Sequence, residues 1–172
     1  MTTTLAASVL DKIGHLRVWK RGGQRAPHKP LLVLLALSRV FHGRPRLATF
    51  EELEPPLLRL LEKYCSTPRT QASHPFWRLP SDGLWEIPNS GLLPLRSHGT
   101  EPYRSELIDS QIEGGFPLEI FQAFKSDGHL LAQAVELALK TYFAPSLRAG
   151  LITELNLEAA LPNKSLLRIT ED

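Results

Sequence analysis

The feature of this sequence that most constrains its fold is a basic, proline-flanked hexapeptide followed by an unbroken apolar run. Residues 25–30 are RAPHKP, residues 31–37 are LLVLLAL, and Gly43 follows shortly afterwards. Pro30 suits the first turn of a helix, where its missing N–H costs nothing, and Gly43 suits the position just after the last turn. The sequence therefore predicts a buried helix over residues 28–42, against which the other elements must pack.

The start of this predicted helix carries an imidazole and an ammonium group. His28 and Lys29 lie between Pro27 and Pro30, so their backbone is stiffened on both sides. They stand where a helix dipole is positive and where backbone N–H groups lack helical partners, and such helix starts bind anions. Two interpretations stay open: an anion site, or two solvated residues in front of a core helix.

The positive charge is concentrated near the amino terminus. Nine of the 20 lysine and arginine residues lie in residues 1–48, which hold one acidic residue, whereas residues 49–172 hold 11 basic and 17 acidic residues. This asymmetry is typical of a surface that neutralises phosphates, although a solvated basic face has the same composition. The stretch KRGGQR from Lys20 to Arg25 is predicted to be a basic loop between helices.

Composition narrows the class of protein. With 42% hydrophobic residues among 172, the chain can bury one substantial core, so one domain is expected. The single cysteine excludes an internal disulfide framework and a cysteine zinc site, as in a reducing compartment. The sequence has neither a signal-like start nor an apolar run of about 20 residues. We expect a cytoplasmic protein with no membrane segment and no cofactor.

Cap residues and apolar spacing predict a mostly helical chain. A first helix is expected from Thr4 to about Trp19, and a third from Thr49, whose capping-box partner is Glu52. No strong helical period is present after Pro145, although the leucines there could pack on the core. Further helices are predicted over residues 105–111, 116–124 and 127–142.

The clearest strand signal lies in the middle of the chain. Residues 76–79 (FWRL) and 84–87 (LWEI) are rich in aromatic and apolar residues and are joined by the turn composition PSDG. They predict a β-hairpin, which after three helices would take the place of the wing in a winged-helix protein. We therefore predict an α+β fold: a mostly helical single domain with one β-hairpin, for which a winged-helix-like arrangement is one option.

The sequence lacks the spacing of the common catalytic and metal-binding motifs. It has no glycine-rich phosphate loop, no His-x-x-x-His or cysteine pair, no nucleophile-elbow serine and no carboxylate-lysine cluster of a metal-dependent nuclease. A hydrolase that uses Cys65 with His74 is an alternative, and it predicts a turnover that Cys65→Ala abolishes. The sequence favours binding over catalysis.

Three motifs make the chain resemble a known family. They are RAPHKPLLVLLAL from residue 25, HPFWRL from residue 74 with DGLWE from residue 82, and GGFP from residue 114. They are similar to the sulfur-binding domain of phosphorothioation-dependent McrA-type restriction endonucleases, over most of residues 10–145. The resemblance implies a module that binds double-stranded DNA in which sulfur replaces one non-bridging phosphate oxygen.

The resemblance also implies which residues form the sulfur pocket. An apolar wall made by Pro75 and ring faces costs less to fill with weakly hydrated sulfur than with an oxygen that loses hydrogen bonds. Lys29 and the helix start would hold the remaining negative charge. The residues expected at the pocket are His28, Lys29, His74, Pro75 and Arg78.

Affinity and base preference are expected from other parts of the chain. Contacts to phosphate make binding fall with salt, whatever the backbone chemistry, and a long loop carries side chains that hydrogen-bond base edges. The expected phosphate-binding residues are Lys20, Arg21, Arg25 and Arg44. The expected base-contacting residues are Arg96, Ser97, His98 and Thr100.

The resemblance further implies how the chain is divided. Residues 1–150 are expected to form the binding domain, and residues 151–172 a tail or linker toward a nuclease domain. In the full enzymes that domain is of the HNH type, and no HNH-like set of residues follows residue 145 here. The chain is thus expected to bind without catalysis and to target a type IV restriction nuclease.

One alternative from the residues alone is a generic winged-helix-like regulator. It would bind ordinary DNA or RNA through the helix over residues 28–42 or through the wing, without sulfur selectivity. The apolarity of that helix counts against its insertion into a groove.

Overall fold

The computed structural model describes residues 2–18, 20–21, 24–65, 71–94 and 101–162, with the backbone alone at residues 2–3, 20–21 and 24–25. Within these ranges the chain forms eight α-helices, four two-residue strands and three short 3-10 helices. The α-helices are α1 (Thr2–Gly14), α2 (His28–Phe41), α3 (Phe50–Tyr64), α4 (Ser73–Arg78), α5 (Arg104–Asp109), α6 (Leu118–Ser126), α7 (Gly128–Tyr142) and α8 (Pro145–Glu154).

The strands form two small antiparallel sheets. Strand β1 (Lys20–Arg21) pairs with β2 (Gln24–Arg25), with Lys20 opposite Arg25. Strand β3 (Ala48–Thr49) pairs with β4 (Glu113–Gly114), with Ala48 opposite Gly114. The predicted class, a mostly helical α+β domain, is confirmed, but the segment from Lys20 to Arg25 that was predicted to be a loop contains β1 and β2.

Helix α2 is the centre of the fold, as its sequence predicts. Ten of its 14 residues are buried, and it packs against α3, α4, α6 and α7. Its carboxyl end closes with the His42 N–H donating to the Ser38 carbonyl oxygen, followed by Gly43 at φ +72°. A left-handed backbone of this kind after a helix favours glycine. The predicted buried helix is therefore confirmed to within one residue.

The predicted hairpin over residues 76–87 is wrong. Residues 73–78 form α4, a 3-10 helix continues over Leu79–Asp82, and Gly83 ends it at φ +78°. Phe76 and Leu79 are both fully buried, and their spacing of three residues places them on one side of a helical turn. A short aromatic run fits a strand or a helix equally well by composition, and here the packing of Phe76 decides between them.

A chain of buried rings holds α4 in place. Phe76 lies edge-on to Phe50, with ring centroids 5.2 Å apart, and edge-on to Trp85 at 6.0 Å. Trp85 in turn contacts Phe116 at 6.2 Å. The GGFP motif is part of this packing, because a Cβ on Gly114 would lie 2.6 Å from the Trp85 indole nitrogen.

Other predicted helices are confirmed with shifted ends. Helix α1 ends at Gly14 rather than near Trp19, and the Tyr142 hydroxyl closes that end by donating to the Ile13 carbonyl oxygen and accepting from the Leu16 N–H. Asp127 caps α7, and Thr49 caps α3 by accepting from the Glu52 N–H. The predictions over residues 105–111 and 116–124 correspond to α5 and α6.

The carboxyl-terminal part is more ordered than its sequence predicts. Helix α8 was missed because its apolar residues do not follow a strong helical period. The expected packing of this region on the core is confirmed. Helix α8 continues across residue 150, and the domain boundary predicted there stays a prediction. The buried residues are Leu151, Ile152, Leu155, Leu157 and Leu161. Among the described helices, none is both long enough and apolar enough to cross a membrane.

Candidate nucleic-acid interface

The amino-terminal end of α2 lies near α4. The first two residues of α2 and three residues of α4 together make up the predicted pocket residues. Pro27 precedes α2 without a side-chain cap, and α2 and α4 pack against each other. The residue that precedes α2 therefore provides no carboxylate to cap its first N–H groups, and these groups form the positive end of the helix dipole. We call the residues His28, Lys29, His74, Pro75 and Arg78 the α2-head site.

His28 is the residue that shows this convergence most directly. Its Nε2 atom lies 3.7 Å from the Cys65 sulfur at the end of α3. Burial lowers the pKa of His28 below its ordinary value, and the nearby His74 and Arg78 lower it further by charge repulsion. Residues 28, 74 and 78 are therefore close enough to interact electrostatically, and the neutral form of the His28 imidazole is favoured.

The lowered pKa of His28 predicts how the stability of the domain changes with pH. Because the pKa is lower in the folded state, the unfolded chain binds the His28 proton more readily, and this contribution to stability is lost as pH falls below the ordinary histidine value of about 6.5. We expect the free energy of unfolding to fall less between pH 7 and pH 5 in His28→Gln than in the unsubstituted domain. Urea unfolding at each pH checks this. An equal or steeper fall in the variant would contradict it, and His129→Gln, exposed on α7, is the control.

Lys29 is buried in an ion pair. Its ammonium nitrogen lies 2.6 Å from Asp82 Oδ2, and the two side chains are 12% and 3% exposed. The other Asp82 oxygen accepts from the Arg17 N–H at 2.8 Å. Asp82 thus joins the head of α2 to the segment after α1, and the Lys29 charge is compensated within the domain.

Glu101 holds the two basic side chains of α4. Its Oε2 atom lies 2.6 Å from His74 Nδ1, and its Oε1 atom accepts from Arg78 Nε. The Glu101 side chain is 23% exposed, and those of His74 and Arg78 are 43% and 54% exposed. The carboxylate therefore bridges an imidazole and a guanidinium group at the surface of the α2-head site.

The segment that carries Glu101 is anchored to α3. Arg104 at the start of α5 makes a two-pronged contact with the buried Glu54, with nitrogen to oxygen distances of 2.6 and 2.7 Å. Hydrogen bonding to Glu54 and its charge raise the pKa of Arg104. This anchor lies three residues after Glu101 and fixes the backbone near it.

Pro75 lies inside α4 and is buried, between His74 and the fully buried Phe76. The sequence predicts that this residue starts a strand, and this prediction is wrong. In the structure it belongs to the first turn of a helix, where its missing N–H leaves no hydrogen bond unmade. The prediction that Pro75 and His74 stand beside the head of α2 is compatible with this position.

The predicted phosphate-binding residues divide into two places. Lys20, Arg21 and Arg25 lie on the strands β1 and β2, where Arg25 is three residues before α2. Arg44 follows the other end of α2, about 20 Å from His28 at 1.5 Å per residue. The predicted base-contacting residues Arg96, Ser97, His98 and Thr100 lie outside the described part of the chain.

A separate cleft lies away from the α2-head site. It encloses about 460 Å³ at the carboxyl end of α2, between Phe41, Phe124 and Pro162, and shares no residue with that site. Its lining is mostly apolar, without the concentration of basic groups found at the α2 head. Within the described residues, no group of three or more histidine, cysteine or acidic side chains could hold a metal ion.

Sequence reasoning missed the partners of the basic groups. The sequence indicates a turn at Asp82, and it has no local signal at Glu101. The contacts join residues 53 apart for Lys29 and Asp82, and 27 and 23 apart for Glu101 with His74 and Arg78. A general expectation that buried cations are paired could have indicated that such partners exist, without identifying them.

A family model and several solved structures match this chain, and they describe the same kind of domain. The family model described as ScoMcrA-like, DNA sulfur-binding domain matches residues 6–160. The solved sulfur-binding domain of ScoMcrA, complexed with phosphorothioated DNA, has a TM-score of 0.81 and 27% identity, covering 88% of this chain and 97% of that one. The comparison with curated proteins gives no significant match.

Two further structures extend the comparison. The type IV phosphorothioation-dependent restriction endonuclease ScoMcrA matches with a TM-score of 0.76 and 26% identity over 92% of this chain, which spans 35% of that protein. The sulfur-binding domain of SprMcrA, also complexed with phosphorothioated DNA, has a TM-score of 0.77 over 93% of this chain and 99% of that one. At 18% identity, the SprMcrA match supports the fold alone.

Proposed function

This chain belongs to the ScoMcrA-like DNA sulfur-binding domain family, and from that premise we propose that it binds double-stranded DNA carrying a backbone phosphorothioate. The observation that carries the proposal is the match over residues 6–160 together with the convergence of α2 and α4 at the α2-head site. The ScoMcrA domain that it resembles was solved with such DNA. The binding is a recognition step, and no reaction is assigned to this chain.

The α2-head site is the proposed contact for the modified linkage. Pro75, which is buried in α4, would form the apolar inner wall of the contact, and the partly exposed ring of His74 stands next to it. Sulfur is larger and less strongly hydrated than oxygen, so contact with apolar atoms costs it less solvation. The positive end of α2 favours the negative charge that phosphate and phosphorothioate share.

The overall affinity is proposed to come from phosphates on either side of the linkage. Lys20, Arg21 and Arg25 precede α2 directly, so they approach the same stretch of DNA as its head. Arg44, at the far end of α2, would meet a different part of the backbone. Each neutralised phosphate steepens the fall of affinity with salt by about 0.9 in a double-logarithmic plot. The proposed base contacts from Arg96, Ser97, His98 and Thr100 would add sequence preference.

The full-length protein is proposed to be a type IV restriction endonuclease in which this module directs an HNH nuclease domain. This chain spans about a third of ScoMcrA, a type IV phosphorothioation-dependent restriction endonuclease. Residues 151–172 would lead toward the nuclease. Because the target is DNA and the chain has a single cysteine, the proposed place of action is the cytoplasm.

Replacing Pro75 with alanine tests the proposed pocket. Losing the proline ring removes about two methylene groups of apolar contact, so the preference for the phosphorothioate duplex should fall about tenfold, with a smaller change for the ordinary duplex. Fluorescence anisotropy with two duplexes that differ at one linkage measures both affinities. Pro145→Ala, at an exposed proline that starts α8, is the matched control and should leave the preference unchanged. Equal losses on both duplexes in Pro75→Ala would contradict the pocket.

A further inference from the structure

Three basic groups of the α2-head site contact carboxylates of the domain itself, and the neutral form of the fourth is favoured. Lys29 is paired with Asp82, and both His74 and Arg78 contact Glu101. The neutral form of His28 is favoured by burial and by its basic neighbours. The place proposed to receive a backbone anion therefore offers a helix dipole and apolar contact, while its lysine and arginine side chains already contact internal carboxylates.

Contacts between basic side chains and internal carboxylates are unexpected at a site that only has to bind a backbone phosphate tightly. A phosphate oxygen that leaves water recovers its solvation through strong, charge-assisted hydrogen bonds, and the N–H groups of lysine and arginine are their usual donors. When those donors are held by internal carboxylates, an entering oxygen loses its hydration without full replacement. Sulfur, which is less strongly hydrated, loses less under the same conditions.

We propose that Glu101 and Asp82 determine the sulfur selectivity of this site by holding its basic side chains in internal ion pairs, so that an ordinary phosphate oxygen is not compensated there. The inference rests on the proposed function and adds two selectivity residues to it. Discrimination against a competing ligand by leaving its polar groups unsatisfied is a general route to specificity. Affinity would then come from the basic strands before α2.

Glu101 is the better residue for a test because it is partly exposed, whereas Asp82 is almost fully buried. Glu101→Ala releases the Arg78 guanidinium and the His74 ring without emptying a buried site. The ordinary duplex should then bind about tenfold tighter, the gain expected when a charged donor reaches an oxygen. The phosphorothioate duplex should change by less than about threefold, so the sulfur preference falls. The salt dependence for the ordinary duplex should steepen by about 0.9 if one more phosphate is neutralised.

Two further variants separate this effect from a general change in charge or fold. Glu158→Ala removes an acidic residue from the 3-10 helix near the far end of α2, and it should change both affinities by the same small factor. Glu101→Ala combined with Arg78→Met removes the released guanidinium, so the ordinary duplex should bind this double variant about tenfold more weakly than it binds Glu101→Ala alone. Glu101→Gln repeats the measurement with a side chain of the same shape, should the alanine variant not fold.

The outcomes distinguish this inference from the function on which it rests. If the unsubstituted domain binds both duplexes equally in every flanking sequence, the proposed function fails and the inference fails with it. If the unsubstituted domain prefers the phosphorothioate and Glu101→Ala keeps that preference within about twofold, the inference alone is overturned. Weaker binding of Glu101→Ala to both duplexes would also overturn it, because it would assign Glu101 to supporting the site rather than to selectivity.

Discussion

Replacing Lys29 with alanine is expected to lower the free energy of unfolding by about 3–5 kcal/mol, the cost of leaving one partner of a buried ion pair without the other. The Asp82 carboxylate would remain in place, 3% exposed and 2.6 Å from where the ammonium had been. Its remaining hydrogen bond comes from the Arg17 N–H, which does not neutralise its charge. Urea unfolding of the DNA-free domain measures the loss.

Two companion variants make this result specific to the ion pair. Lys29→Arg keeps the charge and should cost less than about 1.5 kcal/mol, since a side chain of similar length fills the same space. Lys29→Met with Asp82→Asn removes both charges together and should recover much of the stability lost in Lys29→Ala. A loss below about 1 kcal/mol in Lys29→Ala would contradict the buried pair. Any loss of DNA binding in that variant must therefore be corrected for the fraction that is unfolded.

Phe76→Ala is expected to have an effect of the same size, about 3–5 kcal/mol, because it empties a fully buried aromatic site. The ring contacts to Phe50 and Trp85 would be lost together. Since domains are typically stable by only about 5–15 kcal/mol, this variant should be close to unfolding. The site residues on α4 would lose their support at the same time.

The unfolding midpoint in urea and the cooperativity of the transition measure the effect of Phe76→Ala. Leu92→Ala is the control, because Leu92 is 65% exposed and its loss should change stability by no more than about 0.5 kcal/mol. A cost below about 1 kcal/mol for Phe76→Ala would mean that α4 is not held by its ring packing, and that the positions of His74 and Pro75 have another cause.

The parts of the fold that could be predicted are those with local signals. Helix α2 is marked by Pro30 near its start, Gly43 after its end and a continuous apolar run between them. Helix α7 is marked by Asp127, whose side chain accepts from two N–H groups of its first turn. Each of these signals involves only a few neighbouring residues, so it can be recognised without knowing how the rest of the chain folds.

The hairpin prediction failed for the opposite reason. The run from Phe76 to Leu79 is too short for its period to decide between strand and helix, and aromatic content favoured a strand. The choice is made by the packing of Phe76 against Phe50, from the start of α3, and against Trp85, whose ring in turn packs on Phe116. Tertiary packing of this kind overrides local preference and has no local signature.

The candidate site shows the same division. His28, Lys29, His74, Pro75 and Arg78 were selected through a family resemblance, and their meeting at the ends of two helices depends on the packing of α2 against α4. Their counter-ions, Asp82 and Glu101, are single acidic residues among 18 in the chain, and nothing near them in sequence identifies their partners. The charge balance of the site, on which the inferred selectivity depends, is therefore a property of the folded domain.

Recognition of the backbone sulfur can be measured by a binding titration of the unsubstituted domain with two otherwise identical duplexes. One duplex carries a single stereodefined phosphorothioate, both stereoisomers and several flanking sequences are tried, and salt is held at about 0.15 M so that non-specific contacts are weakened. We expect that in at least one flanking sequence the phosphorothioate duplex binds tighter by about tenfold or more. Equal binding of the two duplexes in every context would contradict it and leave a basic DNA-binding domain without a sulfur pocket.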